Sequence, residues 1–311
     1  YAHGFAQPRL QCWPLCRLYS QLNPGEWSKA ARCAGRNLEA LLLDHPYCRG
    51  AKAGIIPPHA PAQHCGSDHR VIATDQFLEE GRLVHSQDPH HSVPFHIRRL
   101  GPADRDLLVR FRTRIFASLP DPDMYVPEVP EFVDWHLSGE RGLVFGFFSA
   151  DKLIACSILG IPRPGMPNFA DDLPFAIDPQ RVVHIASSMV APEFRGFGLQ
   201  KRLIAQRILV AIGLNRPVLL SRAALSNIVS WRNMLGSGLH IAQLLIMHET
   251  RYRFLMIRDL SQSPPRFRPA RTILLSDIPG HQRALQEGLI GYDFKSNAGD
   301  VGVIYGCAET S

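Results

Sequence analysis

The residues best suited by type and spacing to chemistry lie in one run, Val190-Ala191-Pro192-Glu193-Phe194-Arg195-Gly196-Phe197-Gly198-Leu199-Gln200. The run follows an apolar stretch that reads as a strand and opens one that reads as a helix. In such a turn the backbone N–H groups converge with the unpaired N–H groups of the first helical turn, and together they form a cradle for a diphosphate. Gly196 and Gly198 allow close approach to the backbone, while Arg195, Lys201 and Arg202 add positive charge. A plain turn before a helix is the alternative that the run alone leaves open. The cysteines offer less. Cys12, Cys16, Cys33, Cys48, Cys65, Cys156 and Cys307 are an odd number, and their one close pair is spaced C-x3-C with no second half. Neither a disulfide framework nor a zinc site is expected. His45, Cys48, His59, His64, Cys65 and His69 form no compact ligand pattern, so no metal is expected there either. Cys156 sits mid-strand without a His or Asn partner and reads as an inert, buried thiol.

The elements that must position the glycine turn are a strand at 181–190, a helix at 199–214 and a strand at 217–224. This unit is long enough for its two strands to be parallel neighbours. Upstream, alternation around Phe95 and Ile97 predicts a strand, and Leu107, Leu108, Phe111, Ile115 and Phe116 predict an amphipathic helix after Pro102. The runs 143–149 and 153–161 read as a hairpin, and 162–180 as a proline-rich loop. Downstream come a short helix at 227–235 stopped by Gly236 and Gly238, two closing strands at 240–249 and 251–260, and a linker at 261–269. The last segment reads as a strand at 272–275, a helix at 278–287 capped by Ser276 or Asp277, and a strand at 301–305. It is too small to stand alone and is expected to pack on the main domain or on a partner subunit, as in a homodimer. Residues 1–94 show little sustained period, and 54–61 and 86–91 are rich in breakers. The segment is expected to be an irregular or disordered extension, dispensable for folding.

The chain has 311 residues, 45% hydrophobic and 20% charged, which is near the globular average and excludes wholesale disorder. No apolar run approaches the roughly 18 residues that span a bilayer. A cytoplasmic protein without a membrane partner is the default expectation. Net charge is +6, and the surplus belongs to residues 95–260. Acids are interspersed with the basic residues there, which argues against a nucleic-acid partner and for a small polyanionic ligand.

The glycine run does not stand alone. Asn227-Ile228-Val229-Ser230-Trp231-Arg232-Asn233-Met234-Leu235-Gly236-Ser237-Gly238 lies in register behind it. Both segments, and the order of elements from 95 to 260, resemble the GNAT superfamily of acetyl-CoA-dependent N-acetyltransferases. The resemblance covers about 165 of the 311 residues and departs at Gln200, where the family has a small residue. It implies an α/β (α+β) fold, with a twisted mixed sheet whose two central parallel strands splay apart around the pantetheine arm of acetyl-CoA, the co-substrate. In that scheme Arg195, Gly196, Phe197, Gly198, Leu199 and Gln200 hold the diphosphate. Ser188, Met189 and Val190 offer backbone groups to the pantetheine and the acetyl carbonyl. Asn227 either hydrogen-bonds the pantetheine or caps its helix.

Acetyl transfer to an amine by direct attack in a ternary complex needs a base. His184 is placed by the resemblance where many members carry Glu, an ordinary strand histidine being its alternative. The family's tyrosine acid is replaced here by Met234, which cannot donate a proton. Tyr125, water or unassisted departure of the thiolate must serve instead. In 121–136, five acids and no Lys or Arg suggest that Asp121, Asp123, Tyr125 and Trp135 bind a cationic small-molecule or peptide amine, unless they form a solvated loop over core aromatics. The expected activity is N-acetyltransfer to a primary amine. The alternative is an inactive acyl-CoA sensor, in which 261–311 transmit the bound state to a partner.

Overall fold

The computed structural model describes residues 77–125, 128–247, 251–297 and 299–309. Expectations for residues 1–76 lie outside the described residues. In the strand Gly142–Ser149, Leu143, Phe145 and Phe147 enter one apolar layer while Val144 and Phe148 enter the other. A strand apolar on both sides must be covered on both sides. That requirement holds through the centre of one sheet built from β1 (Phe77–His85), β2 (Asp88–Leu100), β3 (Gly142–Ser149), β4 (Lys152–Gly160), β5 (Val182–Val190), β6 (Val218–Ala224), β7 (His240–Met247), β8 (Arg251–Asp259), β9 (Phe267–Leu274), β10 (Ile290–Asn297) and β11 (Asp300–Ala308).

Their order is β1-β2-β3-β4-β5-β6-β8-β7-β10-β11-β9. On one face, α1 (Arg105–Ala117), α2 (Phe132–Leu137) and the 162–180 loop bury Leu108, Phe111, Val133, Leu173 and their neighbours. The other face is covered by α3 (Leu199–Gly213), α4 (Ile228–Leu235) and α5 (Ile278–Gln286), which contribute Leu203, Ile204, Trp231 and Leu285. The mixed α/β architecture with GNAT-like strand order is therefore present. Among the described residues, no helix is long and apolar enough to cross a membrane.

Only β5 and β6 pair in parallel among the described ladders, and only over Val182–His184 with Val218–Leu220. Immediately beyond, Ser221 Oγ donates to the Ile185 carbonyl at 2.7 Å in place of a ladder bond. A bulge then diverts β5. The β4 register shifts by one residue between Met189 and Ala186, and Ser187 stands at φ +44°. An extra residue reverses the alternation. Ala186 and Met189 consequently face the same layer, while Ser187 and Ser188 reach opposite sides of the sheet.

Two segments differ from expectation. Residues 77–94, read as irregular, form β1 and half of β2, because few of their side chains are buried and the period-2 signal rests on Leu83 alone before Phe95 and Ile97. A chain beginning at 95 would lack β1 and cut β2 in two. The C-terminal segment contains three strands rather than the expected two, β10 being the addition, and it joins the main sheet through β7 and β10.

Candidate active site

The split between β5 and β6 opens beside the glycine turn. Gly196 and Gly198 adopt φ +88° and +68°, in the left-handed region that favours glycine. A Cβ on Gly198 would meet open space, whereas one on Gly196 would run into the His85 ring. Gly198 is the N-cap of α3, and no side chain caps that helix start. The amides of Leu199 and Gln200 are therefore left for a ligand or water. Phe197 and Leu199 turn their side chains into the core and leave only backbone at the surface, while Arg195 is exposed. Arg202 pairs with Glu79 at 2.9 Å. The hairpin tip of β1 and β2 braces the turn: Ser86 N–H donates to the Gly196 carbonyl at 3.0 Å, and His85 and His91 each pack on Phe197 with centroids 5.0 Å apart. These histidines were missed because their segment read as linker.

On the α3 side of the bulge lies Arg207, fully buried. Its guanidinium donates to the carbonyls of Leu203, Ile158 and Ala186 at 2.9, 3.1 and 2.8 Å, and to Ser188 Oγ at 2.6 Å. Burial works against its charge; the four acceptors hold it and fix the backbone that bounds the split. A lone Arg among Leu203, Ile204 and Ala211 was the sequence signal for this role.

On the other side, buried Arg112 and half-buried Ser187, Tyr125 and Glu128 form one polar cluster. Glu128 Oε1 accepts from the Tyr125 hydroxyl and, at 2.8 Å, from Ser187 Oγ, while Oε2 accepts from Arg112. Tyr125 Oη is 2.7 Å from Ser187 Oγ and accepts from Arg112 at 3.0 Å. Burial raises the Glu128 carboxyl above the ordinary carboxylate range, although Arg112 opposes the shift. Burial also raises the Tyr125 phenol, which stays protonated. Ser187 lies three residues beyond the last β5–β6 pair, so the cluster stands where the strands part. Tyr125 was expected here; Glu128 was noticed only as one acid among five.

Other expected site residues are placed differently. His184 is 8% exposed, beneath the 162–180 loop. Its ring stacks on Phe169 with centroids 3.9 Å apart, and Nε2 lies 2.9 Å from Asn168 Oδ1 and 3.2 Å from Phe169 N. Burial, reinforced by Arg222, holds its pKa down at about 3. It is an interior histidine with its nitrogen engaged, which corrects the expectation of a base. Asp121 accepts from Asp123 N–H at 2.8 Å, and Asp123 pairs with Arg251 at 2.8 Å. Trp135 lies under Arg141, 3.3 Å from guanidinium carbon to ring centroid. Each of these three therefore has a partner within the chain.

Asn227 caps α4, accepting from Ser230 N–H at 3.2 Å. Gln200 bridges α3 to α4, donating to Ser230 Oγ at 3.2 Å and accepting from Asn233 at 2.8 Å. Met234 is core, and Met189 is buried while Val190 is half-buried on β5. Cys156 is fully buried, its thiol pushed up to about 12 by burial. Among the described residues no group of three metal-ligating side chains occurs.

No family model matches the chain, and no curated protein matches it. Among solved structures, it is similar to a probable acetyltransferase from Staphylococcus epidermidis, with 17% identity over 53% of this chain and 98% of that one and a TM-score of 0.42. NAA60 from Arabidopsis thaliana in complex with acetyl-CoA gives 15% identity, 53% and 99% coverage and a TM-score of 0.43. The GNAT domain of S. lividans PAT gives 15%, 58% and 97%, and 0.42. With identities this low and TM-scores below 0.5, function has to be judged from the chain's own geometry.

Proposed function

We propose that the protein transfers an acetyl group from acetyl-CoA to a primary amine in a ternary complex. The observation that carries this reading is the coincidence, at one end of β5, of a parting parallel pair, a bulge, and a glycine turn opening an uncapped helix. The uncapped amides and exposed Arg195 suit a diphosphate, and the gap between β5 and β6 suits the slender arm attached to it. Acetyl-CoA would supply a thioester, an acyl group activated toward attack by nitrogen.

The chain's own residues do the rest. Backbone amides of Ser188, Met189 and Val190 border the split, where an N–H aimed at the acyl oxygen stabilises the negative charge that develops there. Glu128, made more basic by burial, takes the proton that the attacking amine loses. Tyr125 donates the proton that the departing thiolate needs, and its hydrogen bond to Glu128 returns one to the phenol. The proton count closes without an outside donor. Arg112 anchors the carboxylate in a site where water would otherwise compete.

Met234, buried in the core at the family's tyrosine position, favours a second reading, an acyl-CoA sensor without turnover. Incubation with acetyl-CoA and a panel of amines, followed by mass spectrometry of free CoA and acetylated product, separates the two. Product formed by the wild type and lost in Glu128→Gln supports transfer. Binding without product from any amine supports the sensor.

A further inference from the structure

The strand order past β6 is palindromic: β6-β8-β7 is followed by β10-β11-β9. The sequence repeats with it at a spacing of 50. Leu225-Ser226-Asn227-Ile228 reappears as Leu275-Ser276-Asp277-Ile278, and Leu235 with Gly238-Leu239 reappears as Leu285 with Gly288-Leu289. The detail repeats as well. Asn227 Oδ1 accepts from Ser230 N–H at 3.2 Å, and Asp277 Oδ1 accepts from Gly280 N–H at 2.9 Å. Gly238 and Gly288 have φ +81° and +82°. Leu225 N–H donates to Tyr252 O, and Leu275 N–H to Val301 O. The bulge between Ile241 and Gln243 recurs between Gly291 and Asp293.

The two halves meet where β7 pairs with β10, and the paired residues are Ile241 and Gly291, themselves equivalent positions. An antiparallel contact between equivalent residues is the signature of a twofold relation. Packing is exchanged across it: Trp231 of α4 lies edge-on to Phe294 of β10 at 6.0 Å, and His281 of α5 lies edge-on to Phe254 of β8 at 5.5 Å. The second half has no counterpart of β5, α3 or the glycine turn, since β9 ends the sheet. The described residues therefore hold no second cradle of this kind.

We propose that residues 267–308 are an internal replica of 218–259, and that they occupy in one chain the β7 edge where a second copy of that half-domain would pair. A bare edge strand is a template for another chain; here it is closed from within. Amide hydrogen exchange on the full chain, over a roughly hundredfold range of protein concentration, tests this. Protection of 240–247 is expected to be independent of concentration in the wild type. Gly291→Val forces methyl groups against Ile241 and Val303, which a Cβ there already approaches to 3.0 Å. It is expected to strip protection from 240–247 and 290–297, and raising the concentration is expected to restore it at 240–247, with dimers in sedimentation velocity. Concentration-dependent protection in the wild type overturns the proposal. So does Gly291→Val with 240–247 as protected as before, or with a loss that concentration does not restore. If Gly291→Val is insoluble, Phe294→Ala, which removes the ring packed on Trp231, is read by the same criteria.

Discussion

Residues 218–259 and 267–308 share the lengths of their last two strands, a bulge at equivalent positions and a helix cap, yet only the first half borders a site. The difference lies in what stands next to each. β6 has β5 beside it, with its bulge, its glycine turn and the Ser187 cluster; β9 has no strand beyond it among the described residues. The helix–turn–strand unit is thus a scaffold that folds alike with or without a function, and the chemistry comes from its neighbour. Asn227 and Asp277 make the point at one position. Both cap a helix, so capping explains the pair, and only Asn227 has a side-chain NH2 besides, which can donate to a ligand.

The largest effect should come from groups that have no counterpart in the second half. Glu128→Gln is expected to lower kcat by about 10²- to 10⁴-fold, the usual worth of a general base, without a matching loss of acetyl-CoA affinity. Its raised carboxyl pKa should place the acid limb of kcat/KM above the usual carboxylate range, and the variant should lose that limb. A near wild-type kcat would remove Glu128 from the chemistry.

Gly198→Glu comes next. It puts a carboxylate into the open space above the turn and a side chain at φ +68°, so acetyl-CoA affinity should fall at least about 100-fold, or some 2.7 kcal/mol, in a protein that still folds. Unchanged affinity in calorimetry would place the diphosphate elsewhere.

The third test sets the two halves against each other. Asn227→Asp and Asp277→Asn keep a competent cap and should shift stability by no more than about 0.5 kcal/mol. Asn227→Asp should nonetheless weaken acetyl-CoA by about tenfold, or roughly 1.4 kcal/mol, through loss of the donor and repulsion by the carboxylate. Asp277→Asn should change affinity not at all. Equal effects of both substitutions would contradict the distinction.

The last effect is on stability against pH, away from the site. His184 is held neutral when folded, with its pKa at about 3, against about 6.5 for the unfolded group. Between those values the unfolded state binds more protons, so this contribution is complete above pH 6.5 and is lost as pH falls toward 3. His184→Gln should flatten the acid limb of a denaturation series. An unaltered limb would show that the ring is not excluded from water.

The central part of the fold was legible because its signals are local. Apolar alternation in β3 to β6, the glycine turn and the caps at Asn227 and Asp277 need no distant partner to be read. β1 and β10 were not legible, since Leu83 is almost alone among exposed residues in the first, and Gly291 and a polar end break the second. The place of His184 depends on a loop that folds over it from residues 162–180, which no spacing within β5 reveals. Glu128 becomes distinct only when β5 bulges and brings Ser187 to it. The spacing of 50 was visible in the helix residues, but the flanking strands have diverged enough to conceal it.

The most direct measurement is calorimetric titration of acetyl-CoA into the full chain at moderate salt. With the cradle beside the first half only, the expected result is saturable binding of one molecule per chain. Two equivalent sites would contradict the asymmetry between the halves, and no binding by folded protein would contradict the proposed cradle itself.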